Sequence, residues 1–335
     1  MVGHPQLRSL LVSIAPVFVL ILILSAGVKL DAQPTLSDNL YKAVAYLRST
    51  AYNPDVRLCR EAPRVAPNVY WVTSDNLLAF KALEPYDSSL ASTIGLELVR
   101  IAKFYNLPVF QDGLPLSLRY DVIMRDDAVL EMPPRDVSHV TLYNSSYLLR
   151  YDIANATESF DDWRDFADLD LLVALSNHNR GDNANAAGNF TEAANMWDGM
   201  GLRDKAYRLS YGEGQAQGTP NAYATYKLGL LLYVSGKLGI RLPFEQDVVN
   251  RIWLMQNSTS GGIFTHILPD GGHGDSDTNT ETTALVILGV TIIHPQALAS
   301  PSPLYDRDLV TMLATVALLV VICSVVFTIW RRKQV

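Results

Sequence analysis

Three clusters in this chain have residue types and spacings suited to chemistry. The first is Tyr70-Trp71-Val-Thr-Ser74-Asp75-Asn76. Aromatic rings stack on sugar faces while carboxylates and amides bind hydroxyls, so Tyr70, Trp71 and Asn76 are candidate ligand contacts beside Asp75. Paired across a cavity with Asp277 or Glu281, Asp75 would supply the two carboxyl groups that glycoside hydrolysis uses. The competing expectation is that Asp75 caps a helix and the two rings fill the core. One physical objection bears on catalysis: a carboxylate at a helix N-terminus has a lowered pKa, which suits a base or nucleophile but not an acid. The sequence identifies no buried partner for that acid. The second cluster runs from His266 to Glu281 and holds His266, Asp270, His273, Asp275, Asp277, Asn279 and Glu281. Asp275-x-Asp277-x-Asn279 sets oxygen ligands at alternate positions, as at the start of a calcium loop. Thr280 stands where the loop glycine belongs and Val286 where the distal Glu belongs, so this is not an EF-hand. Ca²⁺ bound by those three residues is the one candidate cofactor, and helix capping the alternative. The third cluster is His178-Asn179-Arg180-Gly181-Asp182, read either as a polar pocket contributing His178 or as a solvated loop that caps the next helix.

The elements that must carry these groups are mainly helical. Leu40, Ala43, Val44 and Leu47 recur at helical spacing over Leu36 to Ala51, and Asn53-Pro54 ends that run. Ser74 and Asp75 open a helix Asn76 to Leu83. The turn Glu84-Pro85-Tyr86-Asp87 joins it to a second helix, Ser88 to Tyr105, as an α-hairpin. Further helices are expected over Asp161 to Leu175, Ala186 to Met200, Leu202 to Leu209, Thr219 to Tyr233 or Ser235, Phe244 to Gln256 and Thr280 to Val290. Between the two helical halves, Leu118–Met124, Val137–Tyr143 and Tyr147–Ile153 are β-branched and aromatic and read as two or three strands, a small β insertion at about 115–153.

The ends of the chain set an expected topology. Leu309 to Trp330 is apolar apart from Cys323 and is followed by Arg331, Arg332 and Lys333. That pattern predicts a transmembrane helix over 309–330 with the C-terminus cytoplasmic (331–335), preceded by a linker at 297–308. Arg8 and the apolar run Leu10 to Ala26 predict a signal peptide or an N-terminal anchor at 1–27. The body, 28–296, is then an extracellular domain of a single-pass cell-membrane protein, with the bilayer as one partner. Without the four terminal bases (Arg8, Arg331, Arg332, Lys333) the 27 Lys and Arg become 23, against 34 Asp and Glu, a net charge of −11 for residues 28–308. Such a surface repels phosphate backbones, so no nucleic-acid partner is expected. Cys59 is the only cysteine outside the apolar C-terminal run, so no internal disulfide can staple the body. Asn144, Asn155, Asn189 and Asn257 each begin an N-x-S/T tripeptide and are candidate glycosylation acceptors.

The most patterned stretch is Trp253-Leu-Met-Gln256, Gly261-Gly262-Ile263-Phe264 and Asp277-Thr-Asn-Thr-Glu-Thr-Thr-Ala-Leu285. It resembles the repeat unit of the α/α-toroid superfamily of terpenoid cyclases and protein prenyltransferases, in which a helix ends in Gln, a glycine pair and an aromatic make the turn, and a Thr-rich start opens the next helix. The resemblance implies a mainly α fold of toroid-like helical hairpins. It covers about 35 residues and carries over no activity. The cyclase acid motif needs a carboxylate where Thr278 stands, and the prenyltransferase zinc site needs a cysteine near His266 or His273. Physical chemistry accounts for the same pattern: the glycines permit positive φ, and Thr278 with Glu281 matches a capping box.

Two functions follow as expectations. One is a surface module whose helical body binds a glycan, a peptide or a protein partner. The other is a polysaccharide-active hydrolase working through Asp75 and Asp277 or Glu281.

Overall fold

Four helices of this chain are apolar around nearly their whole circumference, and such helices must lie inside. The computed structural model describes residues 36–143, 146–208, 221–274 and 276–295. All belong to one compact unit beginning at Leu36. Its helices are α1 (Leu36–Ala45, continued by a π-helical turn Tyr46–Ala51), α2 (Asp75–Leu83), α3 (Ser88–Tyr105), α4 (Asp121–Met124), α5 (Ala167–Asn179), α6 (Asn183–Ala194), α7 (Lys205–Arg208), α8 (Tyr226–Leu238), α9 (Glu245–Leu254) and α10 (Thr280–Ile293). The strands are β1 (Tyr52–Asn53), β2 (Leu58–Cys59), β3 (Val69–Trp71), β4 (Arg135–Tyr143), β5 (Leu148–Ser159), β6 (Tyr223–Ala224) and β7 (His266–Ile267).

The inner helices are α2, α5, α8 and α10. In α8 every residue from Lys227 to Ser235 is buried, and in α10 burial runs unbroken from Thr282 to Val290. Helix α10 packs on both α2 and α8, and α8 packs on α5. Each of α2, α5 and α8 is followed by an amphipathic helix that covers it. Helix α6 turns Ala186, Phe190 and Ala193 inward, and α9 turns Val248, Val249 and Ile252 inward. Glycine makes the tightest crossing possible: a Cβ on Gly229 of α8 would sit 2.7 Å from the backbone of Leu285 and Val286 in α10.

The sheet has the order β3-β5-β4. Strand β5 runs parallel to β3, pairing Trp71 with Arg150, and antiparallel to β4, pairing His139 with Asp152. Successive side chains of a strand face opposite sides. Trp71, Arg150, Asp152 and His139 therefore share one face of this sheet.

Several expectations are corrected here. The described residues are mainly helical with a few small sheets, and no helix among them is long and apolar enough to cross a membrane. The most apolar helix, α10, has 14 residues, about 21 Å at 1.5 Å per residue, against a hydrocarbon core of about 30 Å. Helix α3 has 18 residues but carries Glu97, Arg100 and Lys103. The fold class with a C-terminal transmembrane helix and the single-pass cell-membrane location are contradicted by this finding. The segments 1–27, 297–308, 309–330 and 331–335 lie outside the described residues. The strand expected at Leu118–Met124 is instead a loop leading into α4. The Ser117 N–H donates to Asp121 Oδ1 at 2.6 Å and Ser117 Oγ accepts from the Tyr120 N–H at 2.8 Å. That reciprocal bonding closes a helical turn which the β-branched and aromatic side chains did not announce. The β insertion is consequently the single hairpin β4–β5, later in the chain than expected.

Candidate functional site

The starts of α2 and α10 and the segment ahead of α4 meet against the His139 face of the sheet around a cavity of about 240 Å³. Helix α2 contributes Asp75, with Ser74 before it. The segment ahead of α4 contributes Ser117, Arg119 and Tyr120, and α10 contributes Glu281, with Asn279 before it. Trp71, Val137, His139 and Asp152 form the sheet wall, and Glu61 closes the rim.

Both helix starts free their carboxyls from capping. The N-cap of α10 is Asn279, whose Oδ1 accepts from the Thr282 N–H at 2.8 Å. This replaces the expected capping box of Thr278 with Glu281. Glu281 Oε1 instead accepts from the Tyr120 hydroxyl at 2.6 Å. Asp75 is the first residue of α2, and its Oδ1 accepts from Ser74 Oγ at 3.1 Å. Its Oδ2 is buried with no hydrogen-bond partner. Burial pushes the Asp75 carboxyl well above the usual range, and the charges of Glu281 and Glu61 push it further. Burial also pushes Glu281 up, to about 7, with the Tyr120 bond opposing and the charges of Asp152, Asp168 and Glu61 adding. Burial and then the Glu281 charge raise the Tyr120 hydroxyl.

The wall is held by polar bonds. Asp152 Oδ1 meets His139 Nδ1 at 2.8 Å, and its Oδ2 accepts from Thr73 Oγ1 at 3.1 Å. Trp71 is bracketed by His139 edge-on, at 4.8 Å between ring centroids, and by the Arg150 guanidinium 5.3 Å from its ring. Beneath the cavity, the first turns of α5 and α8 carry Asp168 and Tyr226, whose hydroxyl donates to Asp168 Oδ2 at 2.9 Å. Lys227 is buried between Asp168, at 2.9 Å, and Asp204.

Of the residues singled out in the sequence, the structure brings Asp75, Glu281, Trp71 and Asn279 to this cavity. Asp277 is not among its lining residues; its Oδ1 accepts from the Thr278 N–H at 2.8 Å and lies 3.3 Å from Arg64 Nε. Tyr70 is a core residue whose hydroxyl accepts from Asn53 Nδ2 at 2.7 Å. Asn76 is fully buried and staples both the N–H and C=O of Cys59 to the end of β3. His178 pairs with Asn183, His266 lies in β7, and His273 stacks on Phe264; none lines the cavity. Asp275 lies outside the described residues, so the calcium triad is described only through Asp277 and Asn279, whose side-chain oxygens already serve backbone N–H groups. Among the described residues no group of three His, Cys, Asp or Glu side chains is arranged to hold a metal ion.

The acceptor asparagines differ in environment. Asn144 is outside the described residues, and Asn155 lies in β5. Asn189 Nδ2, the atom a glycan would use, points to Asp170 Oδ1 at 3.5 Å. Asn257 is engaged through its Oδ1, which accepts from the Thr259 and Ser260 N–H groups.

Tyr120, Arg119, Asp152, His139 and Glu61 were not legible as site residues. Arg119 and Tyr120 lie in the segment misread as a strand. Only the β4–β5 register, which sets His139 opposite Asp152, could have paired those two in advance. No family model, curated protein or solved structure matches this chain.

Proposed function

We propose that this chain hydrolyses glycosidic bonds in the cavity between α2, α10 and the sheet. One observation carries the reading: two buried carboxyls with raised pKa, Asp75 and Glu281, share a single cavity walled by Trp71. Two interacting acids of this kind titrate as a pair, and burial holds protons on them above the usual carboxyl range. The local bonding favours a proton on Asp75. Tyr120 donates to Glu281 and so supports the ionised form there, while Asp75 Oδ2 has no donor to support a negative charge. Asp75 is then the general acid: it gives its proton to the glycosidic oxygen as the C1–O bond breaks. Glu281 is the base: it takes a proton from the water whose oxygen forms the new bond to C1. Trp71, held between His139 and Arg150, offers a ring face or edge to the sugar.

The test is release of reducing ends from a panel of plant, bacterial and storage polysaccharides by the purified full chain, alongside D75N and E281Q. Loss of one acid–base group removes about 10²–10⁴ of the rate. Both variants should fall by that order on any glycan the native chain cleaves. Binding of a glycan with no release of ends would leave the binding-module alternative in its place. Unchanged rates in either variant would refute the assignment.

A further inference from the structure

Arg119 stands out among the groups lining the cavity because it carries a positive charge and makes no direct ion pair. Arg150 approaches Glu61 at 3.7 Å, and His139 is bonded to Asp152. Arg119 forms no salt bridge or side-chain hydrogen bond among the described residues, and its Nε is buried without an acceptor. A buried donor without a partner is costly unless something outside the chain satisfies it. The guanidinium lies over Phe160, 5.9 Å from the ring centroid. That contact is a cation–π one and takes up none of the guanidinium's hydrogen-bond donors.

The backbone supports a deliberate placement. Leu118, immediately before Arg119, is in the left-handed region at φ +63°. A bulky L-residue is strained there, because its Cβ crowds the following carbonyl oxygen. The surroundings hold it: Ser117 and Asp121 lock the segment on either side. Strain of this kind persists where the rest of the structure over-determines it, and it gathers at functional sites. Here it turns Arg119 and Tyr120 together to the cavity.

An arginine edge matches a planar carboxylate with two parallel N–H···O bonds. Neutral sugars offer it only hydroxyls. Four of the other lining residues, Glu61, Asp75, Asp152 and Glu281, are acidic; they disfavour a ligand with spread negative charge and leave Arg119 as the lining cation on which one carboxylate can dock. We infer that the cavity selects an acidic sugar, a hexuronate whose ring carboxylate docks on Arg119 while its ring lies toward Trp71. This rests on the glycoside-active reading of the same cavity and names its substrate class.

The experiment uses the full chain with polygalacturonate, polyglucuronate and alginate oligosaccharides, each beside its carboxyl-reduced neutral counterpart, and reads binding by calorimetry and cleavage by reducing ends. The expected result is that at least one polyuronate binds ten times or more tightly than its reduced form. R119A should abolish that preference, bringing the polyuronate down to the affinity of its reduced form. R119K, a point charge without the planar fork, should retain a part of it. Thermal melts of R119A and R119K show whether each variant is folded, and R119Q serves in place of R119A if that variant is not. No preference for any polyuronate, or a preference that survives in folded R119A and R119Q, overturns the inference. Preferential binding without cleavage would leave the inference standing and remove the hydrolase reading; cleavage of neutral glycans with no uronate preference would do the reverse.

Discussion

Replacing Glu281 by Gln distinguishes a catalytic carboxyl from a helix cap through the sign of its effect on stability. Gln keeps an oxygen to accept from Tyr120 and is neutral at every pH. Glu281 is pushed from 4.5 to about 7, first by burial. At about 1.4 kcal/mol per pKa unit, that displacement corresponds to about 3 kcal/mol between the protonated and ionised native states. The sign follows from proton counts. Between pH 4.5 and 7 the unfolded chain has released this proton while the native chain still holds it, so stability falls as pH rises through that window. The contribution is full below pH 4.5 and gone above about 7. E281Q lacks this loss. It should match the native chain at pH 4 and exceed it at pH 8 by up to about 3 kcal/mol, while losing turnover. In a domain of this size each kcal/mol moves the melting temperature by about 2–4 °C. Paired thermal or urea melts of the two chains at pH 4, 6 and 8 therefore read it directly. If Glu281 were an ionised first-turn residue supporting the helix dipole, E281Q would instead cost about 0.3–1 kcal/mol at pH 8. A variant less stable than the native chain at pH 8 would refute the reasoning that burial raises the Glu281 carboxyl.

Other perturbations test the frame around the cavity. Asp170 in α5 is fully buried, and burial pushes its carboxyl to about 7. D170N should remove a fall in stability that the native chain shows between about pH 4 and 7, measured as melting temperature against pH. K227M strands Asp168 and Asp204 without their shared cation and should cost about 3–5 kcal/mol in urea titrations at neutral pH. G229A forces a Cβ into the α10 backbone; it should cost about 1–3 kcal/mol or more by the same measurement, and lower turnover by shifting α10 and Glu281.

The helices were legible where their stop and start signals were local. Helix α3 lies at Ser88–Tyr105 as expected, because Asp87 caps it and Asn106 adopts the left-handed conformation that ends it. The start of α10 at Thr280 was legible from its Thr-rich entry, but the capping residue was read one position early: the Thr278–Glu281 spacing fits a capping box, and only the structure shows Asn279 taking that role. The strand misread at Leu118–Met124 failed for a related reason. Side-chain propensity favoured extension, and a bond from Ser117 to Asp121 decided for a turn. Helix α8 was expected from Thr219 but begins at Tyr226, since Tyr223–Ala224 pairs with His266–Ile267. A long-range strand pair of this kind leaves no local trace.

The site itself turned on a balance that sequence reasoning weighed on one side only. Asp75 and Glu281 were recognisable as carboxyls at helix starts, where the macrodipole lowers a pKa. That argued against any general acid among them. The dipole contributes about 0.3–1 kcal/mol at the surface and up to about 2 in partly buried positions, whereas removing an ionised carboxylate from water costs several kcal/mol even after relaxation. Burial therefore decides the direction once both groups are enclosed, and the charges of Glu61, Asp152 and Asp168 act in the same sense on Glu281. Those three residues are remote in sequence, on a loop, a strand and a separate helix. The property that makes the pair fit for proton transfer thus resides in the assembly of β5, α5 and the loop before β3 around two helix starts. No window of the sequence containing only Asp75 or only Glu281 could reveal it.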